Sequence, residues 1–141
     1  MATFALKAYP SANATRGTRL TKKADEVVLM GALVKKGTAA GDVKETASST
    51  DVVMGVSLYN EQVAFTNSAD QYSDNGVVVI ETLASGMVLN LLNSGTAAIA
   101  EGIQVEAAAD GKIAAGTTDP IGVTNGPILG SARGEVIIQV K

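Results

Sequence analysis

From Val27 onward the chain is a succession of short β-branched and aliphatic runs, each cut after a few residues by Gly, Asn, Asp or Pro. Runs of this length and composition predict strands. They fall at 27–34, 43–46, 53–58, 62–65, 77–81, 87–92, 103–106, 112–115, 120–124 and 135–140. Asp110-Gly111 separates two of them, and Asn75-Gly76 and Asn125-Gly126 flank others. Asn-Gly and Asp-Gly supply the positive φ angles that tight turns need. A single helical turn is expected at 96–101, with Thr96 as its cap and Gly102 as its stop. Many short strands in one body predict an all-β fold, a small single-domain β-barrel or β-sandwich with an extended N-terminal arm.

The pattern also echoes itself. Gly31-Ala32-Leu33-Val34 is followed by Gly41-Asp42-Val43 and then by Asp51-Val52-Val53-Met54-Gly55-Val56. Gly102-Ile103-Gln104-Val105 is followed by Gly111-Lys112-Ile113 and then by Asp119-Pro120-Ile121-Gly122-Val123. Two copies are too few for a solenoid, and they predict two similar hairpins packed in one barrel.

Before Val27 the texture differs. Residues 1–24 mix small polar positions with a few apolar ones, without a usable period, and Pro10 blocks a long helix. Residues 1–26 therefore read as an extended arm and 27–141 as the folded domain. Charge sharpens the division. Residues 1–24 carry Lys7, Arg16, Arg19, Lys22 and Lys23 with no acid, a charge of +5, whereas the whole chain is at −3. The body is acidic, so it repels nucleic acid, and an anionic protein surface is the better partner for the arm. Thr3, Phe4, Leu6 and Tyr9 are the arm's candidate contacts. Phe4 and Leu6 share one side of an extended strand, a pattern suited to adding a strand to a sheet edge. Arg16, Arg19, Lys22 and Lys23 would meet acids on the partner.

Composition removes most chemistry. The sequence has no His, Cys or Trp. No imidazole or thiolate exists for a Ser-His-Asp or Cys-His unit, and no His or Cys can hold zinc. Gly111-Lys112 is not the end of a phosphate loop, since Glu106 and Ile113 stand at required Gly and Ser/Thr positions. Carboxylates such as Asp70, Asp74, Asp110 and Asp119 read as solvated loop acids. With two Phe and three Tyr there is little platform for sugar stacking. Neither an enzyme nor a cofactor is expected. No apolar run is long enough to span a membrane, and Lys7, Pro10 and Asn13 interrupt any signal-peptide core.

Taken in order, several of these pieces resemble the capsid cement (head-decoration) proteins of tailed bacteriophages. They are Gly31-Ala32-Leu33-Val34-Lys35, Met54-Gly55-Val56-Ser57-Leu58, Asn75-Gly76-Val77-Val78-Val79, Glu101-Gly102-Ile103-Gln104-Val105, Asp110-Gly111-Lys112-Ile113, Ile121-Gly122-Val123 and Gly134-Glu135-Val136-Ile137-Ile138-Gln139-Val140. The resemblance runs from Gly31 to Val140 and leaves the first 30 residues unmatched. It implies a protein made in the host cytoplasm that sits on the outer capsid surface, commonly as a homotrimer, and clamps neighbouring major capsid protein subunits. Other phage structural β domains, from a tail tube or fibre base, fit the same features. A carbohydrate-binding domain fits less well.

Overall fold

The computed structural model describes residues 16–66 and 70–140. It is nearly all β, as the strand pattern predicts. In chain order the elements are β1 (Arg19–Ala24), β2 (Val28–Leu29), β3 (Leu33–Lys36), β4 (Asp42–Glu45), β5 (Gly55–Ser57), α1 (Glu61–Thr66), β6 (Gln71–Tyr72), β7 (Val77–Glu81), β8 (Val88–Leu92), β9 (Gln104–Ala107), β10 (Ile113–Ala115), β11 (Pro120–Thr124) and β12 (Arg133–Ile138). Strands β1-β4-β3-β5-β7 close into a barrel, and β10-β9-β11-β12-β8 form a second five-stranded sheet. Strands β2 and β6 make a separate two-stranded pair.

The two five-stranded units are copies of one another. Strand β3 pairs antiparallel with β4 and β5, and β9 pairs antiparallel with β10 and β11. The pairing then continues from β5 to β7 to β1 in the first copy and from β11 to β12 to β8 in the second. Registers agree residue by residue: Val34 faces Gly55 as Val105 faces Gly122, and Arg19 faces Glu81 as Val88 faces Ile137. Even the closing contact recurs. Ala24 meets Val43 in parallel, and an isolated parallel bridge joins Asn93 to Ile113. The sequence echo is therefore real, but its hairpins belong to two units rather than to one barrel.

Side chains repeat the pattern. Ser57 Oγ donates to Leu29 O (2.7 Å) and accepts from Ala32 N (3.1 Å). Thr124 Oγ1 donates to Ala100 O (2.7 Å) and accepts from Ile103 N (3.1 Å). Both hydroxyls satisfy backbone groups at a chain reversal whose pivot is a glycine at positive φ, Gly31 (85°) or Gly102 (78°). Gly31 explains why the run 27–34 is two strands rather than one.

Two apolar clusters hold the units together. Ala24, Val28, Met30, Val34, Val43, Tyr72, Val78 and Ile80 fill the closed barrel. The other cluster joins Leu33, Val56 and Leu58 of the first copy to Met87, Leu89, Leu91, Val105, Ile113, Val136 and Ile138 of the second. Leu33 and Val34 are both fully buried and alternate between the two clusters. The first half of β3 thus has no solvent face, and each such side chain is worth roughly 1.5–3 kcal/mol of burial. This shared core makes one domain of two copies.

Three sequence expectations are corrected. The arm does not extend to residue 26, because Arg19–Ala24 is a barrel strand hydrogen-bonded to β7 along its length. Residues 62–65 lie in α1 instead of a strand. Asn60 Oδ1 accepts from Gln62 N (3.1 Å) and Val63 N (3.3 Å), capping the helix. Residues 96–101 form no helix. Asn93 organises them as a loop, with its Oδ1 accepting from Gly95 N (2.9 Å) and its Nδ2 donating to Ala97 O (2.9 Å). Ile99 then bridges Ile128 through reciprocal 2.8 Å hydrogen bonds.

Candidate functional site

A groove of about 360 Å³ lies where corresponding segments of the two copies meet. One wall is Asp51–Met54, the approach to β5, with Thr82 and Leu83 just after β7. The other is Asp119–Ile121, the start of β11, with Gln139 and Val140 just after β12. By the strand registers Met54 corresponds to Ile121, and Leu83 to Gln139. The groove is therefore walled by equivalent segments of the two copies. Its volume is at the low end for a binding pocket, and its floor is aliphatic.

Two exposed valines mark the rim. Val52 is 83% exposed and Val140 is 51% exposed. Local chemistry fixes both. Asp51 accepts hydrogen bonds from Ala47 N (2.6 Å) and Ser48 N (3.0 Å), and its carboxylate pairs with Lys35 Nζ at 3.0 Å. The Ala47 amide foremost, then Lys35 and the Ser48 amide, hold the Asp51 carboxyl below its ordinary value. This turn presents Val52 to solvent. On the other side Ser85 Oγ accepts from Val140 N (2.8 Å) and donates to Val140 O (3.2 Å), which ties down the last described residue.

The basic residues singled out in the sequence do not form one surface. Thr3, Phe4, Leu6 and Tyr9 lie outside the described residues. Arg16 is exposed. In β1, Arg19 and Lys23 point out of the barrel, whereas Lys22 shares the side of Leu20 and Ala24 and is half-buried. Arg19 is partly committed: its Nε lies 3.3 Å from Oε1 of Glu81, a fully buried carboxylate. The other Glu81 oxygen accepts from Gly17 N at 3.0 Å. Thr82 adds two bonds, accepting from Thr18 N on Oγ1 (2.8 Å) and donating its own N–H to Thr18 O (2.9 Å). Glu81 and Thr82 thereby fix the point at which the N-terminal segment joins the barrel, beside a groove wall.

Arg133 was not singled out by sequence, yet it staples the copies together. Its guanidinium donates to Met30 O (3.1 Å), Gly31 O (3.4 Å) and Asn90 O (3.1 Å). Burial pushes its pKa below the ordinary arginine value. The groove itself was also missed. Its signal was present in the echo, whose segments Asp51–Gly55 and Asp119–Gly122 become the opposing walls.

Neither a family model nor a curated protein matches the chain. A solved structure does share its fold. The head fiber gp8.5 N base in bacteriophage phi29 superposes with a TM-score of 0.65 over 86% of this chain and 93% of that one. Sequence identity is 10%, so the likeness is one of fold.

Proposed function

We propose that this chain is a structural protein of a phage virion, one that binds the outer surface of the capsid and stabilises it by clamping major capsid protein subunits. The observation that carries this reading is the fold shared with a head fiber base over almost the full length of both chains. The ordered motifs from Gly31 to Val140 that resemble capsid cement proteins point the same way. The protein acts without catalysis or cofactor, and homotrimers on the shell supply repeated weak contacts whose strength multiplies by avidity. Residues 1–15, which carry Thr3, Phe4, Leu6 and Tyr9, remain the proposed reach toward the capsid, with Arg16 at their end. Arg19, Lys22 and Lys23 act from the barrel.

The same fold match favours a second reading, in which the domain is the base of a longer head appendage. Co-sedimentation with purified expanded shells tests both. Saturable binding to bare shells, with greater shell resistance to heat or chelation, is expected for a clamp. Saturable binding without added resistance would favour an appendage base. Absence from the shell pellet at micromolar concentration would overturn both.

A further inference from the structure

The groove between the copies has aliphatic walls open to water and a candidate occupant tethered at its edge. We propose that it is the docking site for residues 1–15 of the same chain, with Phe4, Leu6 and Tyr9 as apolar anchors. This concerns the free protein, before the same residues are drawn out toward a capsid surface.

Four observations carry it. The first is position. Gly17 is pinned by Glu81 at 3.0 Å, and a Cβ at Gly17 would run into the Thr82 carbonyl. Thr82 and Leu83 line the groove. The segment that ends at Arg16 therefore starts at the groove's rim. The second is symmetry. The link between the copies runs along the corresponding edge of the second one, where Gly86 N donates to Ile138 O at 2.9 Å and Ile138 N to Met87 O at 2.8 Å. Incoming chain already follows this path once in the molecule.

The third is complementarity. Val52 and Val140 stand exposed beside Val53, Leu83 and Ile121. Residues 1–15 hold Phe4 and Tyr9, two of only five aromatic residues in the chain. They also contain Lys7 and no acid, against Asp51 and Asp119 at the groove. The fourth is tethering. Eight Cα–Cα steps lead from Gly17 to Tyr9, a reach of up to about 26 Å. A short tether gives an effective concentration of order millimolar, well above that of a second copy in micromolar solution. Docking within the chain therefore prevails over exchange between chains.

The chain has no Trp, so a single introduced Trp is a clean reporter. Phe4→Trp and Tyr9→Trp are made separately in the full chain. Each is compared with a 1–15 peptide carrying the same substitution. Emission blue-shifted from the peptide in at least one variant is expected. Adding Val52→Asp, at a position too exposed to unfold the body, should return it to the peptide value with an unchanged circular dichroism spectrum. The shift should also be independent of protein concentration. Peptide-like emission from both reporters would overturn the proposal, as would a shift that survives Val52→Asp. A shift that fades on dilution would place the segment in a second copy and overturn docking within the chain.

Discussion

The two copies of the five-stranded unit share one set of ladders but fill and close them differently. In the first, the parallel contact of β1 with β4 spans two residue pairs and completes a barrel; in the second, a five-stranded sheet, only the single Asn93–Ile113 bridge stands at the same place. The first copy also carries extra chain. The numbering offset between corresponding residues falls from 67 at Ser57/Thr124 to 56 at Val77/Arg133, an insertion of eleven residues. Within it α1 and β6 deliver Tyr72, whose ring is buried and whose hydroxyl donates to Leu58 O at 2.6 Å. The second copy has Ile99 and Ile128 instead, joined across a loop. A third contrast lies at the outer pair of strands. Arg19 opposite Glu81 becomes Val88 opposite Ile137. The ladder is thus the common frame, and the differences gather where the first copy receives the N-terminal segment and where each copy meets the other.

The largest expected effect tests the insertion. Tyr72→Ala empties the closed barrel and strips Leu58 O of its donor. Chemical denaturation should show a loss of about 3–5 kcal/mol. Hydrogen exchange should show the first copy losing protection before the second. Uniform loss across both copies would mean that the shared core, rather than Tyr72, decides the first barrel's stability.

Next comes the shared frame itself. Gly55 and Gly122 occupy corresponding positions, and a Cβ at either would collide with the carbonyl oxygen of Glu81 or Ile137. Gly55→Ala and Gly122→Ala should each destabilise by about 1–3 kcal/mol. A silent substitution at one site only would break the equivalence of the copies.

A comparable effect is expected from the polar pair that only the first copy has. Glu81→Ile, which imposes the second copy's residue, leaves Gly17 N without its acceptor and should cost roughly 1–3 kcal/mol. Amide exchange at Gly17 and Thr18 should accelerate while that at Met87 does not change. Equal protection in mutant and parent would show that Thr82 alone holds the junction.

The smallest effects are electrostatic and have opposite signs. Asp51 has a folded pKa below its ordinary 3.8, so its contribution is present above that value and is lost as pH falls through the folded pKa. Glu45 has a folded pKa raised above 4.5, chiefly by burial, although its carboxylate accepts from Leu29 N at 2.8 Å. Its ionisation therefore opposes folding increasingly as pH rises from 4.5 through the folded value. Asp51→Asn should lower stability at pH 7 and flatten the acid side of the stability profile. Glu45→Gln should leave the acid side unchanged and remove a penalty near neutrality. Thermal melts from pH 3 to 8 check both.

Much of this architecture was legible in the residues. Strands such as Val77–Glu81 and Pro120–Thr124 are dense in β-branched side chains and bounded by turn residues, and they occur where expected. Asp110-Gly111 forms its hairpin turn with positive φ at both positions. What escaped notice has physical causes. Strand β1 carries bases on both sides, so no alternation betrays it. Its place comes from five cross-strand pairs with β7, contacts distant in sequence. Val63 and Phe65 alternate as in a strand, but the Asn60 cap decides for helix. Glu81 read as the end of an apolar run, and only the fold shows its carboxylate meeting Gly17 and Arg19. The groove needed both halves of the echo to be placed face to face.

Attachment to a phage shell is directly visible in a cryo-EM reconstruction of expanded shells saturated with this protein. Three-fold clusters of two-copy domains are expected on the outer surface, each bridging adjacent major capsid protein subunits. Saturated shells without density outside them, or density confined to a tail, would contradict it.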